Sequence, residues 1–452
     1  MASEAGLSPK RAIALASAAA IARFSLEWPL VSSGVYAISD DDFARVTIAQ
    51  RWVVAPTLDP SETSWLPAQF WLLGFVGRLF GRSWECMQNA SVMLGMLAAA
   101  YLAWELCAFA PKGHTAALAV GAALLSAWGV WCGACTVPEA YTGLLSTAAL
   151  VALTRDRFPW HAAVALLVAG LSRYETWPVL ALVALLGRAW KRGPWAYGAL
   201  LAPVGWMLWN RVSHGDSLYF LARVATYREA HAAQEASSGL HFPASALEGM
   251  LWLGPALPAL ALSWRMGAVK QRQLSLSLGL GALCTVLFLA YGDARGGAPT
   301  HHAARALVGV WASMSVWSTA AVCMLVAQWP SGGAASSEVT GAVTRPRPRA
   351  PTGAIAVLGG AAICMHSAQQ LRELYTEVPP GEPRAGVFAR GRALRAQPWV
   401  LLRPCAYEHY ALAAAYGAPE HVRVLPAAPL GAECPQVLKG TSMHEQQGQA
   451  LR

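Results

Sequence analysis

The feature that most constrains this chain is its succession of apolar runs, each near the length of a membrane crossing. A helix needs about twenty apolar residues to cover the hydrocarbon core. Runs over residues 12–31, 86–108, 115–132, 196–210, 244–264, 273–291, 304–328 and 353–367 meet or approach that length. Only 13% of the 452 residues are charged and 55% are hydrophobic, about half the charge of a soluble domain. The 20 tryptophans fit the same picture, because indole rings favour the headgroup level at either end of a span. A formal charge of +9 would suit nucleic acid, but the basic residues fall in short gaps between apolar runs. The expected partner is therefore the lipid bilayer, and no nucleic acid is expected.

Residues 140–187 are harder to thread. Residues 140–154 make a short span, followed by two arms, His161 to Leu171 and Pro178 to Gly187, around Ser172-Arg173-Tyr174-Glu175. The arms read as one broken helix or as a hairpin of two short helices. The hairpin keeps Arg188, Lys191, Arg192, Arg265, Lys270, Arg272, Arg345, Arg347 and Arg349 on the same side as Lys10 and Arg11, as the positive-inside rule requires. The expectation is an all-α polytopic membrane protein of about eleven transmembrane helices with its N-terminus inside. The first run has a basic flank but is long for a signal core and lacks a small-residue cleavage site, so it is expected to stay as a helix.

This threading places residues 32–85, 211–243 and 292–305 outside. Inside, residues 329–352 read as a low-complexity linker. Residues 1–371 form the multi-span unit, and residues 372–452 a small soluble extracytoplasmic α/β module. In that module Pro398 to Leu402 reads as a strand, Tyr407 to Tyr416 as a helix closed by Gly417, and Val422 to Leu425 as a second strand. Cys132 and Cys135 form a CxxC without the second pair of a zinc site. Cys405 and Cys434 both lie in the module, where a disulfide is permitted.

The chemistry concentrates on the outer side. Asp40-Asp41-Asp42 directly follows the first span. These carboxylates read either as a base or a divalent-cation site, or as a helix cap. Trp65, Pro67, Phe70 and Trp71 suit an interfacial helix. Glu139 stands at the outer mouth of two spans, as a functional acid or as an acid favoured by the helix dipole. Arg173 either pairs with Glu175 or contacts a phosphate. His301, His302 and Arg305 form a cationic group before the next span, as a phosphate site or a plain loop. Arg23 and Glu27, four apart, can pair on one face of the first helix.

In their order these features resemble the GT-C superfamily of bacterial membrane glycosyltransferases, the protein mannosyltransferase and lipid A aminoarabinose transferase type. The resembling residues are Asp40-Asp41-Asp42-Phe43-Ala44-Arg45, Trp65-Leu66-Pro67, Gly77-Arg78-Leu79-Phe80-Gly81, Ala116-Ala117-Leu118, Pro138-Glu139-Ala140 and Arg173-Tyr174-Glu175. The resemblance covers residues 12–190 in good order and residues 196–310 weakly. It implies an inverting sugar transfer, from a polyprenyl-phosphate donor to a glycan, lipid or protein acceptor, at the outer face of the bacterial cytoplasmic membrane. An aspartate of the first loop would act as base or hold the acceptor, with Asp41 and Asp42 favoured. Glu139 would line the same cavity, and Arg173, Glu175, His301, His302, Arg305 and Trp65 would bind substrate. The alternative is a transporter or flippase of a lipid-linked or anionic substrate. No internal repeat of the kind such proteins often carry is evident.

Overall fold

The computed structural model describes residues 7–35, 37–61, 64–109, 113–231, 239–250, 256–295, 303–327, 351–377, 384–403, 409–424 and 436–438. His301, His302, Cys405, Cys434 and the linker up to residue 350 lie outside the described residues. The chain is predominantly helical. It begins with α1 (Pro9–Ser32), α2 (Asp40–Val54), α3 (Ala68–Phe80), α4 (Trp84–Phe109), α5 (Gly113–Leu124), α6 (Ala127–Ala134) and α7 (Glu139–Ala152). There follow α8 (Trp160–Gly170), α9 (Trp177–Ala189), α10 (Trp195–Gly198), α11 (Leu201–His214), α12 (Tyr219–His231), α13 (His241–Met250) and α14 (Leu257–Met266). Then come α15 (Val269–Ala294), α16 (Ala303–Ala306), α17 (Val308–Ala327) and α18 (Pro351–Glu377). The last described part holds α19 (Ala385–Ala393), β1 (Val400–Arg403), α20 (His409–Tyr416), β2 (Val422–Val424) and β3 (Gln436–Leu438).

Among the described residues α1, α4, α15 and α17 are long and apolar enough to cross a membrane, and the bent pair α5–α6 can be counted with them. The run at 115–132, read from sequence as one straight span, is instead broken: its halves meet at 71°. The cause is local. Ser126 takes an extended conformation and its Oγ accepts the Gly129 N–H at 3.3 Å, so a new helix is capped where the old one would have continued.

The helices meet through small residues. The largest buried cluster joins Ala98, Ala99 and Ala103 of α4 to Ala116 and Ala119 of α5, Ala148 and Ala152 of α7, and Ala312 and Ala320 of α17. Where neighbours on every side are apolar, association depends on close packing, which small side chains allow. One charged pair sits inside this packing. Arg23 Nε and Glu27 Oε1 are 2.5 Å apart on α1, at 1% and 0% exposure. Arg23 also donates to the Gly129 carbonyl of α6. Gly133 is required opposite, because a Cβ there would overlap the Glu27 carboxylate.

The C-terminal elements follow the strand–helix–strand order read from the sequence. β1 pairs with β2 in parallel, Val400 opposite Val422, and with β3 antiparallel, giving the order β2-β1-β3. Gly417, at φ +86°, closes α20, a conformation that suits glycine at a helix end. These elements rest against α2. Phe388 is buried with Phe43, Val46, Trp84 and Met87 in one cluster, its ring edge-on to Trp84 at 5.3 Å.

Candidate active site

The first-loop helix α2 starts at the acidic triplet. Successive residues of a helix point about 100° apart, so the three carboxylates cannot share one neighbour. Asp40 Oδ1 pairs with Arg384 Nε at 2.6 Å. Asp41 Oδ2 pairs with Arg305 Nη2 at 3.0 Å. Asp42 is fully buried; its Oδ2 accepts the N–H groups of Ile38 at 2.9 Å and Ser39 at 3.2 Å. Its Oδ1 accepts the Thr136 N–H at 2.8 Å and the Thr136 hydroxyl at 3.0 Å. Considered as a divalent-cation site, Asp40, Asp41 and Asp42 turn to different partners, and no group of three or more His, Cys, Asp or Glu side chains that could hold a metal occurs among the described residues. Asp42 combines a capping role with a long-range tie. Burial pushes its carboxyl up to about 6, against Arg305 and the N–H groups of Ile38, Thr136 and Ser39, which favour the ionised form.

Glu139 opens α7, where a carboxylate suits the helix dipole. It gathers two arginines from distant parts of the chain. Arg305 Nε lies 2.8 Å from Glu139 Oε1, and Arg173 Nη1 lies 3.2 Å from the same oxygen. Arg173 also pairs with Glu175, the protein partner read for it from the sequence; its pairing with Glu139 was not read there. Burial works against the Arg305 cation, but Glu139 and Asp41 more than offset it and hold the guanidinium above its usual range. Arg173 is raised likewise, by Glu139 and Glu175 over burial. Arg305 donates Nη1 to Ser39 and Nη2 to Asp41, two of the five N–H donors a guanidinium carries, and meets Glu139 at Nε as an ion pair. Both carboxylate oxygens of Glu139 are buried and neither takes a hydrogen bond from the described residues, so its arginine contacts are ion pairs.

Glu139, Arg173, Glu175 and Arg305 form the charged wall of a cleft with about 450 Å³ of free space, counting its open mouth. The cleft continues between α7, α9, α15 and α17 past Thr142, Gly143, Ser146, Thr285, Gly309 and Ser313. Its charged groups come from one end of the helix set: the start of α7, the α8–α9 turn, and the segment just before α17. Trp65 does not line it. Trp65 instead lies under the Arg45 guanidinium, 4.5 Å from ring centre to cation.

Arg45 is the functional-looking residue that the sequence reading did not single out. It is 1% exposed, donates to Gln69 Oε1 at 2.6 Å, and has no bonded donor at Nε among the described residues. Gln69 in turn donates to the Thr136 carbonyl. Asp42, Thr136, Gln69 and Arg45 therefore close a ring that leads from α2 to the loop before Glu139. Burial, and then the like charge of Arg173, lower Arg45 to about 10. Its spacing of four from Asp41 and three from Asp42 was the available signal, since such neighbours share a helix face.

No family model matches the chain, and no curated protein matches it in sequence. Solved structures do share its architecture. ArnT from Cupriavidus metallidurans in the apo state superposes with a TM-score of 0.54 at 14% identity, covering 91% of this chain and 85% of that one. ArnT from the same organism bound to undecaprenyl phosphate gives a TM-score of 0.52 at 12% identity, with the same coverage. At these identities the likeness is one of fold: the chain has the fold of ArnT, and the GT-C resemblance read in its sequence holds at that level.

Proposed function

We propose that this chain is a membrane glycosyltransferase that moves a sugar from a polyprenyl-phosphate donor to an acceptor, inverting the anomeric carbon. The observation that carries the reading is the cleft in which Arg173 and Arg305 stand against Glu139. It lies in a fold shared with a protein whose structure holds undecaprenyl phosphate. In the reaction an acceptor oxygen bonds to the anomeric carbon as the carbon–oxygen bond to the phosphate breaks. The electron pair leaves with the polyprenyl phosphate, and the acceptor proton passes to a carboxylate. The protein's tasks are to position the two substrates and to offset charge on the departing phosphate. Arg305 and Arg173 are assigned to the phosphate. Asp41, 22% exposed beside Arg305, is assigned to the acceptor proton, and Glu139 to holding both arginines.

The topology that goes with this function has about eleven crossings, an inner N-terminus, a cytoplasmic linker at 329–352 and the site facing outward. Residues 1–371 would form the membrane unit and residues 372–452 an extracytoplasmic module.

The test is transfer from a panel of radiolabelled polyprenyl-phosphate sugars, in membranes carrying wild type or Asp41→Asn. Label moved by the wild type and lost in the variant, at equal expression, supports the assignment. Undiminished transfer by Asp41→Asn removes Asp41 from the mechanism. No transfer by the wild type across a broad panel sinks the function itself.

A further inference from the structure

We infer that the C-terminal segment is part of the site: it tethers α2 through Arg384 and Asp40, and Asp40 is a positioning residue. The enzymatic side of this inference rests on the transferase reading; its structural side does not.

The C-terminal segment grips α2 at two points. At the amino-terminal end, Arg384, which caps α19, meets Asp40 at 2.6 Å. Ten residues on, Gln50 is fully buried and its Nε2 donates to the Ala414 carbonyl of α20 and to the Arg82 carbonyl, each at 2.9 Å. The two grips are about 15 Å apart along the helix. Between them Phe388 seats against Phe43 at 6.1 Å between ring centres. Further ion pairs surround this contact, Arg392 with Glu85 and Arg82 with Glu420, both at 2.6 Å.

A helix held at two points keeps its rotation as well as its place. Rotation matters here because Asp40, Asp41 and Asp42 occupy a single turn. The pairing of Asp40 with Arg384 leaves Asp41 directed to Arg305 and Asp42 to Thr136. If α2 turned about its axis, all three contacts would change together. The first aspartate of the triplet thus holds the second in register with the arginine that anchors Glu139.

The experiment uses full-length protein in detergent with Asp41→Cys as a reporter, its alkylation rate read on the peptide carrying position 41. Adding Arg384→Glu is expected to raise that rate about threefold to fivefold, the range open to a partly exposed ion pair. The exchange Asp40→Arg with Arg384→Asp should return the rate towards that of the parent. An unchanged rate in Arg384→Glu overturns the tether, as does an exchange that fails to restore it. In protein with Asp41 intact, Arg384→Glu should lower kcat for sugar transfer, and the exchange should recover it although position 40 no longer carries a carboxylate. Alkylation restored without transfer restored would make Asp40 a reactant and overturn its positioning role. A wild type that transfers nothing would remove the transferase reading, while the alkylation rates still decide the tether.

Discussion

Two groups of buried charge invite comparison, one within α1 and one at the cleft. Arg23 and Glu27 are 1% and 0% exposed, and Arg305 and Glu139 are 9% and 3%. By burial alone they look alike. The α1 pair is closed: one cation meets one anion, with Gly133 packed so near that a Cβ there would overlap the Glu27 carboxylate. The outer group is branched: Glu139 receives Arg305 and Arg173, which in turn reach Asp41 and Glu175, and the group borders a cleft. The comparison teaches that a buried charge marks a site only when open space and further charged partners accompany it. A closed pair stabilises a helix contact; an open, branched one can exchange a protein partner for a ligand.

The comparison breaks most readily at the closed pair. Glu27→Ala should leave Arg23 buried without its partner, at a cost of about 3–5 kcal/mol, seen as loss of monodisperse protein on size exclusion. Replacing both by methionine should recover most of that loss and leave transfer near the wild-type rate. Loss of transfer in a well-folded double variant would show that the inner pair is more than a packing element.

At the open group the expected loss falls on activity. Arg305→Gln should lower kcat about 10²–10³-fold, the effect of removing one preorganised charge partner, with the protein still extractable and folded. A variant that retains full transfer would end the assignment of Arg305 to the phosphate.

Neighbouring aspartates sharpen the comparison further. Asp42→Ala removes a cap and the Thr136 tie and should cost about 1–2 kcal/mol of stability, measured by thermal unfolding in detergent. Asp41→Asn should lose transfer while unfolding close to the wild-type midpoint. Reversed outcomes would exchange the two roles.

The last comparison concerns pH. Asp42 is raised from 3.8 to about 6, so as pH falls the folded protein takes up this proton before the unfolded chain does. Its contribution to stability is then full below about pH 4 and lost as pH rises through about 6. The stability difference between wild type and Asp42→Asn should therefore follow that slope between pH 4 and 6. A difference flat across this window would mean that the hydrogen bonds to Asp42 outweigh its burial.

Much of this was legible in the chain. Apolar runs located most helices, because the cost of leaving backbone groups unbonded in hydrocarbon makes the helix the default there. Asp41, Glu139, Arg173 and Arg305 were legible as charges at the ends of such runs, and the structure brings all four together. The break at Ser126 was not legible, because a serine inside an apolar run becomes a cap only when the neighbouring helices leave room for the bend. Arg45 was passed over because its partners, Gln69 and Trp65, carry no charge that would advertise them.

By itself, then, the sequence determined a multi-helix membrane chain and the end of the bundle at which its charges collect. Local hydrophobicity and residue spacing suffice for that, since each acts within a few turns of one helix. Only the tertiary structure decided which charge meets which. Asp41 and Arg305 are 264 positions apart, and Gln50 and Ala414 are 364 apart. Contacts of that separation depend on how every intervening helix packs. For the same reason the three aspartates, alike in sequence, have one tether, one partner of the cleft arginine Arg305 and one buried cap among them.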